Sequence, residues 1–165
     1  MQNGRFAWLV NGKPEGWVPN SYTISDEHPV GQPLSKSMRV SNTMNGYART
    51  HQVIPLNLLA DEATFLLSGW GKANSVGGTA RKHEDGDERY FGLVAEIAYT
   101  DGTTENQYVS FNGDYADWQF ASGVIVPGKR DKWVQEITVR CAYDYNANDA
   151  YFTNISLVLE PAETY

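Results

Sequence analysis

The stretch Ala150-Tyr-Phe-Thr-Asn-Ile-Ser-Leu-Val-Leu159 constrains the fold more than any other part of this chain. This β-type run, rich in aromatic, β-branched and aliphatic residues, is broken only by Pro161 just after Glu160. In an extended chain, side chains alternate between two faces. Tyr151, Thr153, Ile155, Leu157 and Leu159 are then expected on one side, and Phe152, Asn154, Ser156 and Val158 on the other. A strand this apolar needs neighbours on both edges, so it is expected to close a sheet.

The residues before it supply those neighbours. Short β-type runs occur at Phe6 to Val10, Tyr22 to Ser25, Ser37 to Ser41, Tyr47 to Leu56, Thr64 to Lys72, Tyr90 to Thr100, Gln107 to Phe111, Asp114 to Ala121 and Lys132 to Ala142. Turn formers separate them: Asn11-Gly12-Lys13-Pro14, Asn42 to Gly46, Asp101-Gly102 and Asn146 to Asp149. Leu56 to Ala63 has a Pro at its front and no strong cap, so a turn or a single helical turn is expected there. Ala73 to Arg89 carries Gly77-Gly78 and the charged run Lys82 to Arg89, the pattern of a long exposed loop. Many short strands, frequent turns and no helix predict an all-β sandwich or jelly roll of two antiparallel sheets. At 165 residues the chain fits one domain, with 161–165 as a tail.

Charge and composition narrow the function classes. Twenty acidic against thirteen basic residues give a net charge of −7 with no basic cluster, which argues against nucleic acid as a partner. No apolar run approaches the ~20 residues that span a bilayer, so membrane insertion is not expected. No signal-peptide pattern opens the chain, and any export signal is expected to lie outside these residues. The lone Cys141 cannot form an internal disulfide and sits in an alternating apolar run, the setting of a small core residue. Five Trp and ten Tyr are a heavy aromatic load for this length.

Several segments in a fixed order carry a resemblance. They are Asn3-Gly4-x-Phe6, Gly16-Trp17, Thr64-Phe-Leu-Leu-Ser-Gly-Trp-Gly-Lys72, Tyr99-Thr-Asp-Gly102, Asp117-Trp-Gln119 and Tyr151-Phe-Thr-Asn-Ile-Ser-Leu157. Together they resemble the jelly-roll carbohydrate-binding modules appended to xylanases and cellulases. The similar domains of bacterial cell-wall-associated YD-repeat proteins resemble them most closely. The resemblance implies a galactose-binding-like β-sandwich in a secreted or cell-surface bacterial protein. It also implies glycan binding without catalysis, alongside other domains of a parent chain. Modules of this type commonly hold a structural calcium through an acid just after the Asn-x-x-Phe motif and an Asp in the last strand. Those positions read Ala7 and Thr153 here. Calcium needs several oxygen ligands, usually including carboxylates, so no cofactor is expected and the metal site is expected to be lost.

Sugar recognition calls for flat aromatic faces against pyranose C–H groups and planar polar side chains for the hydroxyls. Trp70, Lys72, Glu96, Tyr108, Thr138 and Arg140 are out of phase with the apolar side of their strands, and they would build one platform if those strands share a sheet. Trp17 joins them as a loop aromatic, as do Tyr22, Tyr47, Tyr143 and Tyr145 at loops or strand ends. Against this stands a core role for Trp70 and Trp118, since large aromatics bury well. Catalysis finds little support. His28, His51 and His83 are scattered, and Asp101, Asp114, Asp117, Glu96 and Glu136 form no recognisable constellation. The rival to sugar binding is a spacer or adhesion domain of the same fold without a working sugar site.

Overall fold

A computed structural model describes residues 1, 4, 9–10, 13–32, 35–43, 46–73 and 89–160. The described strands are β1 (Leu9–Val10), β2 (Lys13–Pro14), β3 (Thr23–Ser25), β4 (Ser37–Thr43), β5 (Arg49–Leu59) and β6 (Phe65–Ala73). They continue with β7 (Tyr90–Tyr99), β8 (Thr104–Ser110), β9 (Gln119–Ile125), β10 (Trp133–Asp144) and β11 (Ala147–Leu159). One 3-10 turn, Ala60–Glu62, stands where a single helical turn was expected. Most of the anticipated loop at Ala73 to Arg89 lies outside the described residues.

The strands form the two antiparallel sheets of a jelly-roll sandwich. One sheet has the order β5-β10-β7-β8, the other β3-β4-β11-β6-β9, and β1 and β2 make a separate ribbon. As the sequence requires, β11 is an interior strand, bonded to β4 on one side and β6 on the other.

Its faces are not those of strict alternation. The register against β6 slips between Thr153 and Ser156, and Asn154 takes a left-handed φ of 51°. This β-bulge inserts one extra residue, which flips the phase of everything after it. Phe152, Ile155 and Leu157 therefore all enter the core, while Tyr151, Thr153, Ser156 and Val158 belong to the outer side. Asn is among the residues that tolerate the left-handed region, and here its amide is held by residues far off in sequence: Asn154 donates to Gln32 at 2.8 Å and accepts from Ser35 at 2.8 Å.

Between the sheets lies an aromatic core. Phe91 meets Phe111 at 4.9 Å, Tyr143 at 5.6 Å and Phe152 at 5.6 Å between ring centroids. Gly71 leaves the space for Phe111, because a Cβ there would sit 2.6 Å from the Phe111 ring. Cys141 is fully buried among these apolar residues, and burial pushes its thiol pKa well up, as suits a core residue.

Candidate functional site

The anticipated platform residues fall on two different sheets. Glu96 on β7, Tyr108 on β8 and Arg140 on β10 share the outer face of the four-stranded sheet. Trp70 and Lys72 lie on β6, on the outer face of the five-stranded sheet. Trp17 belongs to neither face: it is 5% exposed in the core, so its ring offers no surface to a ligand. Tyr22 and Tyr143 are likewise buried, and Tyr22 donates its hydroxyl to the Ala48 carbonyl at 2.8 Å. They plug the core from loops and strand ends. Of the loop and strand-end aromatics, Tyr47 is open, at 62% exposure.

The outer face of the four-stranded sheet can be read in rows across the strands. One row runs His51, Arg140, Val94, Tyr108, and the next runs Val53, Thr138, Glu96, Asn106. A third holds Arg49, Ala142, Gly92 and Ser110. Residues of the opposite phase, including Val139, Leu93 and Val109, face the core.

Tyr90, Val94 and Ala142 form a small apolar cluster of their own, apart from the main core and buried beneath this face. Gly92 permits it: a Cβ there would lie 2.5 Å from the Tyr90 hydroxyl. That hydroxyl donates within reach of two carbonyls, Leu93 at 2.7 Å and Val109 at 3.1 Å, and burial raises the phenol's pKa. Tyr108 meets Tyr90 edge-on at 5.3 Å and remains 39% exposed.

At the β5 end, Tyr47 is held from two sides. The Arg49 guanidinium sits 4.8 Å from its ring centroid, and Tyr145 meets it edge to face at 5.3 Å. Arg49 is itself fixed by Asp144, which is fully buried and accepts from Arg49 Nη2 at 2.7 Å and Nε at 3.1 Å. Asp144 also accepts the Ala48 backbone N–H at 3.2 Å. Tyr145 holds its position with a left-handed φ of 52°, an unfavourable conformation for an aromatic residue. The exposed Tyr47 ring is thus pre-positioned. The sequence placed Tyr47 and Tyr145 among the loop aromatics, but the partnership with Arg49 and Asp144, 95 residues apart, had no local signal.

Planar polar groups occupy the middle of the face. Arg140 pairs with Glu96 at 3.3 Å, with both side chains partly exposed. His51 lies opposite Arg140 in register. Burial lowers the His51 pKa, and the nearby Arg140 charge adds to that while Glu96 opposes it, so the ring is neutral at pH 7.

The second group of anticipated residues has different surroundings. Trp70 is partly exposed and packs against Phe120 at 5.6 Å. Lys72 lies 5.6 Å from the Tyr151 ring centroid and 3.4 Å from Glu27. Trp118 packs against Tyr151 at 6.2 Å.

The calcium position fails the test of chemistry at its described half. Thr153 is fully buried and donates its hydroxyl to the Lys36 carbonyl, while the neighbouring Asn154 amide is engaged by Ser35 and Gln32. No carboxylate takes part in this set, so it does not fit a divalent ion. Ala7 lies outside the described residues.

Set against known proteins, this fold is shared with solved carbohydrate-binding modules. The structure is similar to a solved "Family 16 Carbohydrate Binding Module-2" at 21% identity and a TM-score of 0.62, covering 91% of this chain and 98% of that one. It is similar to a β-1,4-galactotriose complex of TmCBM61 at 11% identity and a TM-score of 0.53, with 97% of each chain covered. The CBM22-1-GH10 part of a Clostridium thermocellum xylanase, solved with xylohexaose, matches at 13% identity and a TM-score of 0.60 over 100% of this chain and 28% of that one. No family model and no curated protein matches the chain. At these identities the likeness establishes the shared fold alone.

Proposed function

We propose that this domain is a non-catalytic glycan-binding module of a secreted or cell-surface protein, and that its ligand lies along the outer face of the four-stranded sheet. One observation carries the reading. That face pairs two exposed tyrosines, Tyr47 and Tyr108, with a ladder of planar polar groups in adjacent rows: His51, Arg140, Glu96 and Asn106. Tyr47 and Tyr108 offer rings for pyranose C–H faces, and the polar ladder offers donors and acceptors for hydroxyls. Four strands about 4.8 Å apart place β5 and β8 roughly 14 Å from each other, the span of a short oligosaccharide. The likeness to solved carbohydrate-binding modules supports the ligand class, and the sequence resemblance supports a parent protein of the YD-repeat type with further domains.

Glu96 is tied to Arg140, an arrangement that serves hydrogen bonding to a polyol better than proton transfer. A glycan array with the intact chain, followed by titration calorimetry on the best soluble oligosaccharide, tests the proposal. Tyr47→Ala and Tyr108→Ala should each weaken binding with little change in melting temperature. A folded protein that binds no glycan would favour the spacer reading.

A further inference from the structure

The opposite side of the sandwich carries a second surface that uses none of the residues of the proposed site on the four-stranded sheet. On the outer face of the five-stranded sheet, Trp70 stands beside Phe120. The next row holds three serines in register, Ser156, Ser68 and Ser122, and the row after it holds Val158, Leu66 and Val124. Phe120, Val124 and Val158 are 55%, 60% and 53% exposed. The bulge at Asn154 creates this banding, because without it Ser156 and Val158 would face the core. On the β11 side, Gln32, Ser35 and Lys36 bound the surface, through the Thr153 hydroxyl on the Lys36 carbonyl and the Asn154 amide on Gln32 and Ser35. The three rows contain no charged side chain.

We propose that this banded face is a second polysaccharide-contacting surface, suited to the flat side of an uncharged, β-1,4-linked, insoluble polysaccharide. Such a polymer presents apolar C–H faces bordered by hydroxyl edges. The protein presents an aromatic row, a hydroxyl row and an aliphatic row that succeed one another every two residues along the strands, about 6.8 Å apart, with about 4.8 Å between neighbours within a row. The serine row distinguishes this ligand from a protein partner. Interface cores between proteins are depleted in serine, because each hydroxyl must be desolvated and then matched. A polyol meets that requirement with its own hydroxyls. The uncharged surface likewise selects against anionic glycans held by ion pairs.

The experiment uses depletion isotherms of the intact chain on microcrystalline cellulose and on insoluble xylan. The double variant Phe120→Ser, Val124→Ser changes exposed side chains of an edge strand, and its melting curve checks that it folds. Its partition onto at least one solid should fall by about tenfold or more, while Asp131→Asn, an exposed turn residue before β10 that belongs to neither face, retains that partition. Soluble-oligosaccharide binding should be unchanged in the double variant and weakened in Tyr47→Ala, so failure of either surface is read separately. Unchanged adsorption of the double variant, or no adsorption of the wild-type chain, would overturn the proposal. So would a wild-type dimer in sedimentation that the double variant dissociates without losing adsorption, since the face would then join two copies of the chain.

Discussion

Replacing Arg49 by Leu should cost more stability than replacing its partner Asp144 by Ala, and the reason lies in which partner can return to water. Asp144 is fully enclosed, whereas the Arg49 side chain keeps 27% of its surface exposed. Arg49→Leu takes the guanidinium away from a buried carboxylate that also accepts the Ala48 N–H. Removing one partner of a buried ion pair costs about 3–5 kcal/mol, and the upper half of that range applies here. Asp144→Ala leaves a guanidinium that can swing outward, so its cost should sit near the lower end, about 3 kcal/mol. For a domain of this size each kcal/mol moves the melting temperature by about 2–4 °C, so Asp144→Ala should lower it by roughly 6–12 °C and Arg49→Leu by more. The double variant Arg49→Leu, Asp144→Ala should recover part of the loss, because no uncompensated charge remains. Thermal and urea unfolding of the four proteins measures this cycle. Strict additivity, or a larger loss for Asp144→Ala, would refute the idea that Asp144 is the charge at risk.

Three further outcomes are expected. Trp17→Ala should destabilise by about 3–5 kcal/mol, and the folded fraction should bind glycan as the wild type does, since Trp17 is enclosed in the core; a selective binding loss in stable protein would contradict its placement. Adding EDTA should leave the melting temperature unchanged, because Thr153 and its neighbours satisfy one another; a drop of several degrees would show a stabilising ion. The lowered His51 pKa means that the unfolded chain binds its proton first as pH falls from the ordinary histidine value near 6.5, so folded stability contributed by the neutral ring is lost below that pH. The melting-temperature advantage of wild type over His51→Gln should therefore shrink between pH 7.5 and pH 5, and a constant difference would contradict the direction of the shift.

Much of the architecture was legible because it rests on local signals. Alternation along 90–100 and 132–142, the Asp101-Gly102 turn and the absence of helical periodicity lead directly to antiparallel strands. Strand ends moved by a few residues, as at β9, which runs Gln119–Ile125 where the β-type run spans Asp114 to Ala121. Gly123 is tolerated because a Cβ there would press on Val109 at 2.9 Å, so the close approach of the two sheets favours glycine. The face of Ile155 was misread because a bulge at Asn154 is a one-residue event with no periodic signature.

The candidate site was half legible. Glu96, Tyr108 and Arg140 were correctly recognised as out of phase with the core, yet which strands share a sheet depends on pairings between residues far apart in sequence. Trp70 and Lys72 therefore parted from them. Trp17 looked like a loop aromatic because the sequence shows that it lies outside a strand but not that the chain tucks it inward. Tyr47 gains its meaning from Asp144 through Arg49, a contact that no local pattern announces.

Titration of the intact chain with the best soluble oligosaccharide from a glycan array, for wild type and for Tyr47→Ala, tests the central claim most directly. The wild-type chain should bind saturably, and Tyr47→Ala should bind at least about tenfold more weakly with its melting temperature within a few degrees of wild type. Equal affinities for the two folded proteins, or no binding by the wild type to any glycan, would contradict glycan recognition at this face.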